Sequence, residues 1–156
     1  MQRSPAFFAA MIFTAALTAF LVLVPGPAER EALAFADGCR GLQNGDQIVV
    51  YYFHRKFICR SCEGIDEVVL EGLERYFPSD FSEGRLAMCT VNLDEPGNLH
   101  YLDDFDIVFN SIVVVDKRKG KVARFKNIED LWDIFPDRKA TIDLIRDEVS
   151  GFLAGS

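Results

Sequence analysis

Positive charge is scarce in this sequence: 17 Lys and Arg stand against 24 Asp and Glu, for a formal net charge of -7 and a pI near 4.8. Nucleic acid and anionic membrane surfaces both demand clustered Lys and Arg, so the balance argues against either as the main partner. Histidine is scarcer still, at two residues, and there are four cysteines. Structural zinc takes four ligands, usually two Cys-x-x-Cys pairs or one pair with two histidines, and this chain has little to spare for such a set. No Gly-x-Gly-x-x-Gly follows any candidate strand, so the chain carries no flavin or nicotinamide fingerprint of its own. It also lacks an internal repeat and any low-complexity tract. What remains is a chain of 156 residues, 49% hydrophobic, which suffices for one domain with an ordinary core and a small appendage.

The appendage is N-terminal. From Ala6 to Val24 the sequence "AFFAAMIFTAALTAFLVLV" holds no charge. It is longer than the roughly 7–15 residues of a signal-peptide core and falls within the about 17–25 of a spanning helix, so its length favours an anchor over a cleaved signal. Weak cleavage sites exist at Ala28 and Ala36, and Cys39 makes a poor lipoprotein site because Asp37 stands where a small residue is wanted. Arg3 before the apolar run, against no net positive charge in Glu29-Arg30-Glu31, places the remainder outside the cytoplasm. Disulfides persist there. Setting aside residues 1–36 removes two arginines and two glutamates, which leaves the net charge at -7.

The chain divides into an anchor or signal peptide at 1–27, a Pro- and Gly-containing linker at 28–46 and a folded domain at 47–156. "QIVVYYFH" from Gln47 is β-branched and aromatic and reads as a strand buried on both faces. Beyond Cys59 the period becomes helical, with Ile65, Val68, Val69, Gly72, Leu73 and Tyr76 on one face and Pro78 as the stop. Leu86 to Asn92 is a second buried strand. Leu99, Leu102 and Phe105 have helical spacing, and "SIVVVDKRKGKVARFKN" is a hairpin across a Lys-Arg-Lys-Gly turn. A short helix over Ile128–Phe135 precedes Pro136, and a longer one carries Ile142, Ile145, Val149 and Phe152. The order β, α, β, α, β, β, α predicts an α/β sandwich around a small mixed sheet flanked by helices, with an N-terminal hydrophobic helix in addition.

Chemistry concentrates in "FHRKFICRSCEG", Phe53 to Gly64, where Cys59 and Cys62 stand at the hand-over from the first strand to the first long helix. A thiol attacks as its thiolate, and a helix N-terminus stabilises that anion through unpaired N–H groups and the dipole. His54, Arg55, Lys56 and Arg60 add positive charge. This position makes Cys59 the attacking thiol and Cys62, one turn in, the resolving one, with "RS" between them tuning the potential. Two alternatives stay open: a soft-metal site from Cys59, Cys62, His54 and Cys39, or a pair of inert thiols. The other features have bland readings. Cys89 is a small buried hydrophobe in mid-strand, Asp103–Asp106 a solvated helix end, and His100 a surface residue. Trp132 is a core aromatic, and Asp116 with the basic turn Lys117–Lys121 is a solvated hairpin tip.

Over roughly Gln47 to Phe152 the sequence resembles the thioredoxin-fold superfamily, on "IVVYYFH", "CRSC" at a helix start and "LDDFDIVFNSIVVVD". More narrowly, "YYFH", "CRSCEGID", "VNLDEP" and "NIEDLW" are similar to the motifs of small exported thioredoxin-like proteins known as a subunit of a nitrophenyl-compound nitroreductase. The resemblance implies a thioredoxin-like sandwich, with Cys59 and Cys62 as a redox pair and Ser111 as their neighbour. Asn110 and Ser111 occupy the region where thioredoxins carry a cis-proline, and Ile58 stands in place of their tryptophan. Those departures point from broad protein reduction towards a dedicated partner thiol or disulfide, or a relay among the subunits of a redox complex. A flavin or nicotinamide, if one takes part, belongs to another subunit. The sequence-level expectation is an extracytoplasmic, membrane-anchored thiol–disulfide oxidoreductase without a cofactor or resident metal. Its rival is a non-catalytic subunit or soft-metal module using the same cysteines.

Overall fold

The computed structural model describes residues 38–56, 64–135 and 137–156. The apolar run Ala6–Val24 and the pair Cys59/Cys62, with Arg60, lie outside these residues. Among those described, no helix is long and apolar enough to cross a membrane.

Five strands form one mixed sheet: β1 (Cys39–Arg40), β2 (Gln47–His54), β3 (Leu86–Asn92), β4 (Ser111–Arg118) and β5 (Lys121–Asn127), in the order β1-β3-β2-β4-β5. Strand β2 is central, parallel to β3 and antiparallel to β4. Its continuous apolar sequence follows from that position, because a strand paired on both edges and covered on both faces has no side to give to water. All of β2 except His54 is buried. Strand β3 matches the expected span Leu86 to Asn92, and β4 and β5 form the expected hairpin. The hairpin turn is tighter than a four-residue turn. Arg118 pairs with Lys121, and Lys119 and Gly120 both take positive φ (52° and 74°), the backbone of a two-residue turn that suits the right-handed strand twist.

Side chains alternate along the strands between two cores. On one face Ile48, Val50, Tyr52, Leu86, Met88, Ile112 and Val114 meet the long helices α1 (Ile65–Tyr76) and α5 (Arg138–Ala154), through Ile65, Val69 and Leu73 and through Ile145, Val149 and Phe152. These are the positions that the helical spacing assigns to the core. Tyr76 is the exception: it is 42% exposed, under the Arg146 guanidinium. Pro78 does stop α1, and it then opens the short helix α2 (Pro78–Ser82). The other face carries Val49, Tyr51, Phe53, Ala87, Cys89, Val91, Val113 and Val115 against Tyr101, Phe105 and Ile107. Here the sequence expectation needs correction. Only one turn of α-helix forms, α3 (Tyr101–Asp104), after a 3₁₀ turn at Pro96–Asn98, and Leu99 is exposed. The buried pair is Tyr101 and Phe105, whose rings stack with centroids 5.8 Å apart. The two are four residues apart, so the buried stripe keeps the helical period but runs through Tyr101 and Phe105 rather than Leu99. A last short helix, α4 (Leu131–Ile134), precedes α5, whose N-cap Asp137 accepts the Ala140 N–H.

A second correction concerns Cys89 and the stretch before Gln47. Cys89 is a disulfide partner: its sulfur is bonded to that of Cys39 at 2.04 Å, across the antiparallel β1–β3 pair. Residues 38–43, expected to be linker, are thereby built into the domain. Gly38 approaches β3 so closely that a Cβ would lie 2.4 Å from the Thr90 carbonyl oxygen. The buried Gln47 amide donates to the carbonyls of Gly41 and Gly84 and accepts the Gln43 N–H, which satisfies most of its capacity. In the β4–β5 hairpin Asp116, expected at a solvated tip, is instead buried, and its Oδ2 accepts from the Arg118 guanidinium at 3.2 Å and from the Arg124 Nε at 3.3 Å. Arg124 also donates to the Phe152 carbonyl, joining the sheet to the end of α5.

The disulfide closes a loop of 50 residues, which on chain-entropy grounds stabilises by about 2–4 kcal/mol. The Cys39→Ala/Cys89→Ala variant is therefore expected to unfold in urea with that loss of stability in the absence of reductant. An unchanged midpoint would show that the bond holds nothing.

Candidate functional site

The carboxyl end of β2 is where the sequence sets its basic residues, and the sheet register shows what surrounds it. His54 lies opposite Asn92 on β3, and Phe53 opposite Ser111 on β4. The chain then leaves the sheet at Arg55 and Lys56 and is described again at Gly64, whose left-handed φ of 80° caps α1 without any side-chain bond. Acidic Asp66 and Glu67 in the first turn of α1 complement its dipole.

The departing backbone is gripped from both flanking strands. On the β4 side the Asn110 Oδ1 accepts the Arg55 N–H at 3.1 Å. On the β3 side the Asp94 carboxylate accepts the Lys56 N–H at 2.7 Å with one oxygen and faces the Arg55 guanidinium at 3.3 Å with the other. Asp94 is itself placed by a local turn: its N–H reaches the Asn92 Oδ1, and the Asn98 side chain donates to the Asn92 carbonyl. The His54 carbonyl accepts the Leu93 N–H at 2.7 Å, and the His54 ring stacks on Tyr52 with centroids 5.6 Å apart. Its Nδ1 is 3.2 Å from the Arg55 carbonyl oxygen, so in the tautomer protonated there it donates.

Of the residues singled out from sequence, His54, Lys56 and Ser111 are thus brought to one end of the sheet. Cys59, Cys62 and Arg60 lie outside the described residues, and α1, expected to begin at Cys59, opens at Ile65 after its Gly64 cap. Ser111 is buried, and its hydroxyl donates to the Phe109 carbonyl at 3.0 Å, which commits it to the bend before β4. That bend leaves Val108 and Phe109 about three-quarters exposed. Asp94 carries no sequence signal of a site role beyond its place in "VNLDEP". Its partners are 38 and 39 residues away and could be found only in three dimensions. No group of three or more His, Cys, Asp or Glu among the described residues is arranged to hold a metal ion. The soft-metal set that included Cys39 also loses that ligand, since a sulfur bonded to Cys89 is no thiolate.

Beneath the site the Tyr52 phenol is buried, and its hydroxyl has no hydrogen-bond partner among the described residues. Burial first, and the Asp66 carboxylate second, push its pKa up to about 12.

No family model matches the chain, and no curated protein matches it. Among solved structures it is similar to one described as the structure of a malarial protein, with 17% identity over 52% of this chain and 80% of that one. The TM-score is 0.35, too low for the likeness to carry an argument about fold or function.

Tyr52 generates a test of this geometry. Tyrosine in an unfolded chain ionises near 10, so between about pH 10 and 12 the folded protein holds a proton that the unfolded chain has lost. The stabilisation is complete below pH 10 and falls by roughly 1.4 kcal/mol per pH unit across that window. Tyr52→Phe should flatten this alkaline loss in urea titrations. At pH 7 it should be neutral or stabilising by up to about 1 kcal/mol, since it removes an unpaired buried hydroxyl. A clear destabilisation at pH 7 would mean that the hydroxyl has a partner.

Proposed function

We propose that this chain is an extracytoplasmic thiol–disulfide oxidoreductase or redox relay with a thioredoxin-like domain, held to the membrane by its N-terminal segment. The observation that carries the reading is the placement of one connection. The segment bearing Cys59 and Cys62 joins the end of the central strand β2 to the start of α1, between the basic residues His54, Arg55 and Lys56 and a helix N-terminus. Such a position favours thiolate. The sheet order supports the fold reading, because β3-β2-β4-β5, with β2 and β3 parallel and a terminal antiparallel hairpin, is the arrangement expected of that fold. The Cys39–Cys89 bond supports the compartment, since structural disulfides belong to oxidising surroundings.

In the exchange, the Cys59 thiolate attacks one sulfur of a partner disulfide. A Cys59–partner bond forms and the partner's other sulfur leaves as thiolate. The Cys62 thiolate then attacks the Cys59 sulfur and releases the partner's remaining thiolate. The partner disulfide gains two electrons and the Cys59/Cys62 pair loses them; run backwards, the same steps oxidise a partner dithiol. Exposed Val108 and Phe109 beside the site favour a dedicated protein partner, including another subunit of a redox complex.

Equilibrating the full chain in thiol–disulfide buffers, with alkylation and peptide mass spectrometry, should show a two-thiol transition at Cys59 and Cys62 between about -120 and -270 mV. Cys62→Ser should trap the partner on Cys59; trapping by Cys59→Ser instead would reverse the roles. No transition, or one below about -300 mV, would leave a non-catalytic subunit with a structural bridge.

A further inference from the structure

We propose that the outer edge of β5 is a docking surface for an extended segment of a partner protein in which acidic and apolar residues alternate, added to the sheet as a further strand. The inference does not rest on the redox reading. Strand β5 ends the order β1-β3-β2-β4-β5, so it has a strand neighbour on one side only. The Ile128 N–H donates to the Ile112 carbonyl at 2.8 Å, and backbone direction alternates along an antiparallel strand. Lys126 and Arg124 therefore also turn their backbone groups to β4, while Asn127 and Phe125 turn theirs outward. Among the described residues nothing bonds to those outward groups.

Charge selects the occupant. Residues 116–127 hold six Lys and Arg against one Asp, a net +5 in a chain whose formal total is -7. Asp116 faces Arg118 and Arg124, and Glu148 faces Lys126, but the side chains of Lys117, Lys119 and Lys121 make no ion pair with any described residue. The register sorts the strand's side chains between its two faces. Lys121, Arg124 and Lys126 lie across from Arg118, Asp116 and Val114, on the side of α5. Val122 and Phe125 lie across from Lys117 and Val115 on the other side, because the register shift between Asp116 and Lys117 leaves Ala123 as the extra residue of a bulge. Val122 is 50% and Phe125 38% exposed. The Phe125 ring meets Phe105 edge-on at 5.1 Å, and a cleft of about 340 Å³ opens beside them, lined by Val122, Lys117, Tyr101 and Phe105 among others.

A second copy of the chain is the wrong occupant. Laid against itself, β5 sets Lys and Arg opposite Lys and Arg, and like charges across a strand pair are destabilising. Lysine on an edge strand guards against such pairing. The guard alone needs no half-exposed valine and phenylalanine on the opposite face. A strand with carboxylates towards Lys121, Arg124 and Lys126 and apolar side chains over Val122 and Phe125 satisfies both faces and the outward backbone groups together.

The probe is a fluorescently labelled peptide of about eight residues, within the usual range of strand lengths, alternating glutamate and valine. Added to the full chain, it should slow hydrogen exchange at the Phe125 and Asn127 amides by about threefold or more, saturably, and its affinity by anisotropy should fall as salt is raised. A peptide with the same residues in two blocks keeps the charge and loses the alternation, so it should bind about tenfold more weakly. Lys121→Glu should weaken binding of the alternating peptide about three- to tenfold, and Val122→Thr about two- to fivefold. Both positions are exposed, and urea unfolding of each variant establishes that it is folded. Equal affinity for the two peptides would reduce the edge to plain charge attraction, and unchanged exchange at Phe125 and Asn127 under saturating peptide would leave it a solvated guard. Either result overturns the proposal. So would protection of those amides by phosphatidylserine vesicles and not by the peptide, which would assign the hairpin to an anionic membrane surface.

Discussion

Strand β2 is hydrogen-bonded along both edges, to β3 in parallel and to β4 in antiparallel register, and it sends alternate side chains into two separate cores. Val50 and Tyr52 meet α1 and α5, while Val49, Tyr51 and Phe53 meet the aromatic turn at Tyr101 and Phe105. A one-residue slip would exchange those two sets at once, so the register is strongly specified. Everything at the candidate site inherits that precision. His54 faces Asn92 and Phe53 faces Ser111 because the strand can sit in only one way.

Two devices extend this rigidity past the ends of the strand. At its start, Gln47 uses a buried amide to hold the turns at Gly41 and Gly84, and the Cys39–Cys89 bond fastens the edge strand β1 to β3. Covering that edge matters, because β3 is almost wholly buried and would otherwise present unpaired backbone groups. At its end, Asp94 and Asn110 hold the first two residues beyond the sheet. The same flanking strands that bury β2 thus supply the groups that aim the segment leaving it.

Cysteine is used in two ways under this reading. The Cys39–Cys89 pair closes a long loop and lies within the sheet, with Cys89 fully buried. The Cys59/Cys62 pair belongs to a connection beside basic residues. Burial and long-loop closure suit a bond that is to persist, whereas an electropositive connection at a helix start suits one that is to be exchanged.

Much of the fold was legible in the residues themselves. The two buried strands, the hairpin and the core faces of α1 and α5 follow from side-chain period, because a strand or a long helix imposes its own repeat on whatever covers it. The Cys-x-x-Cys and the basic residues around it were equally visible, since they are consecutive. Tertiary structure alone decided the rest. Cys39 and Cys89 are 50 residues apart, and nothing local distinguishes a bonded cysteine from a buried one. Leu99 has the spacing of a core residue yet is exposed, because it precedes the helical turn, which docks through Tyr101 and Phe105 instead. Asp94 looks like any acidic turn residue until the parallel pairing of β2 and β3 carries it to Arg55 and Lys56. Period is written along the chain, but which distant side chains meet is set only once the sheet has chosen its order.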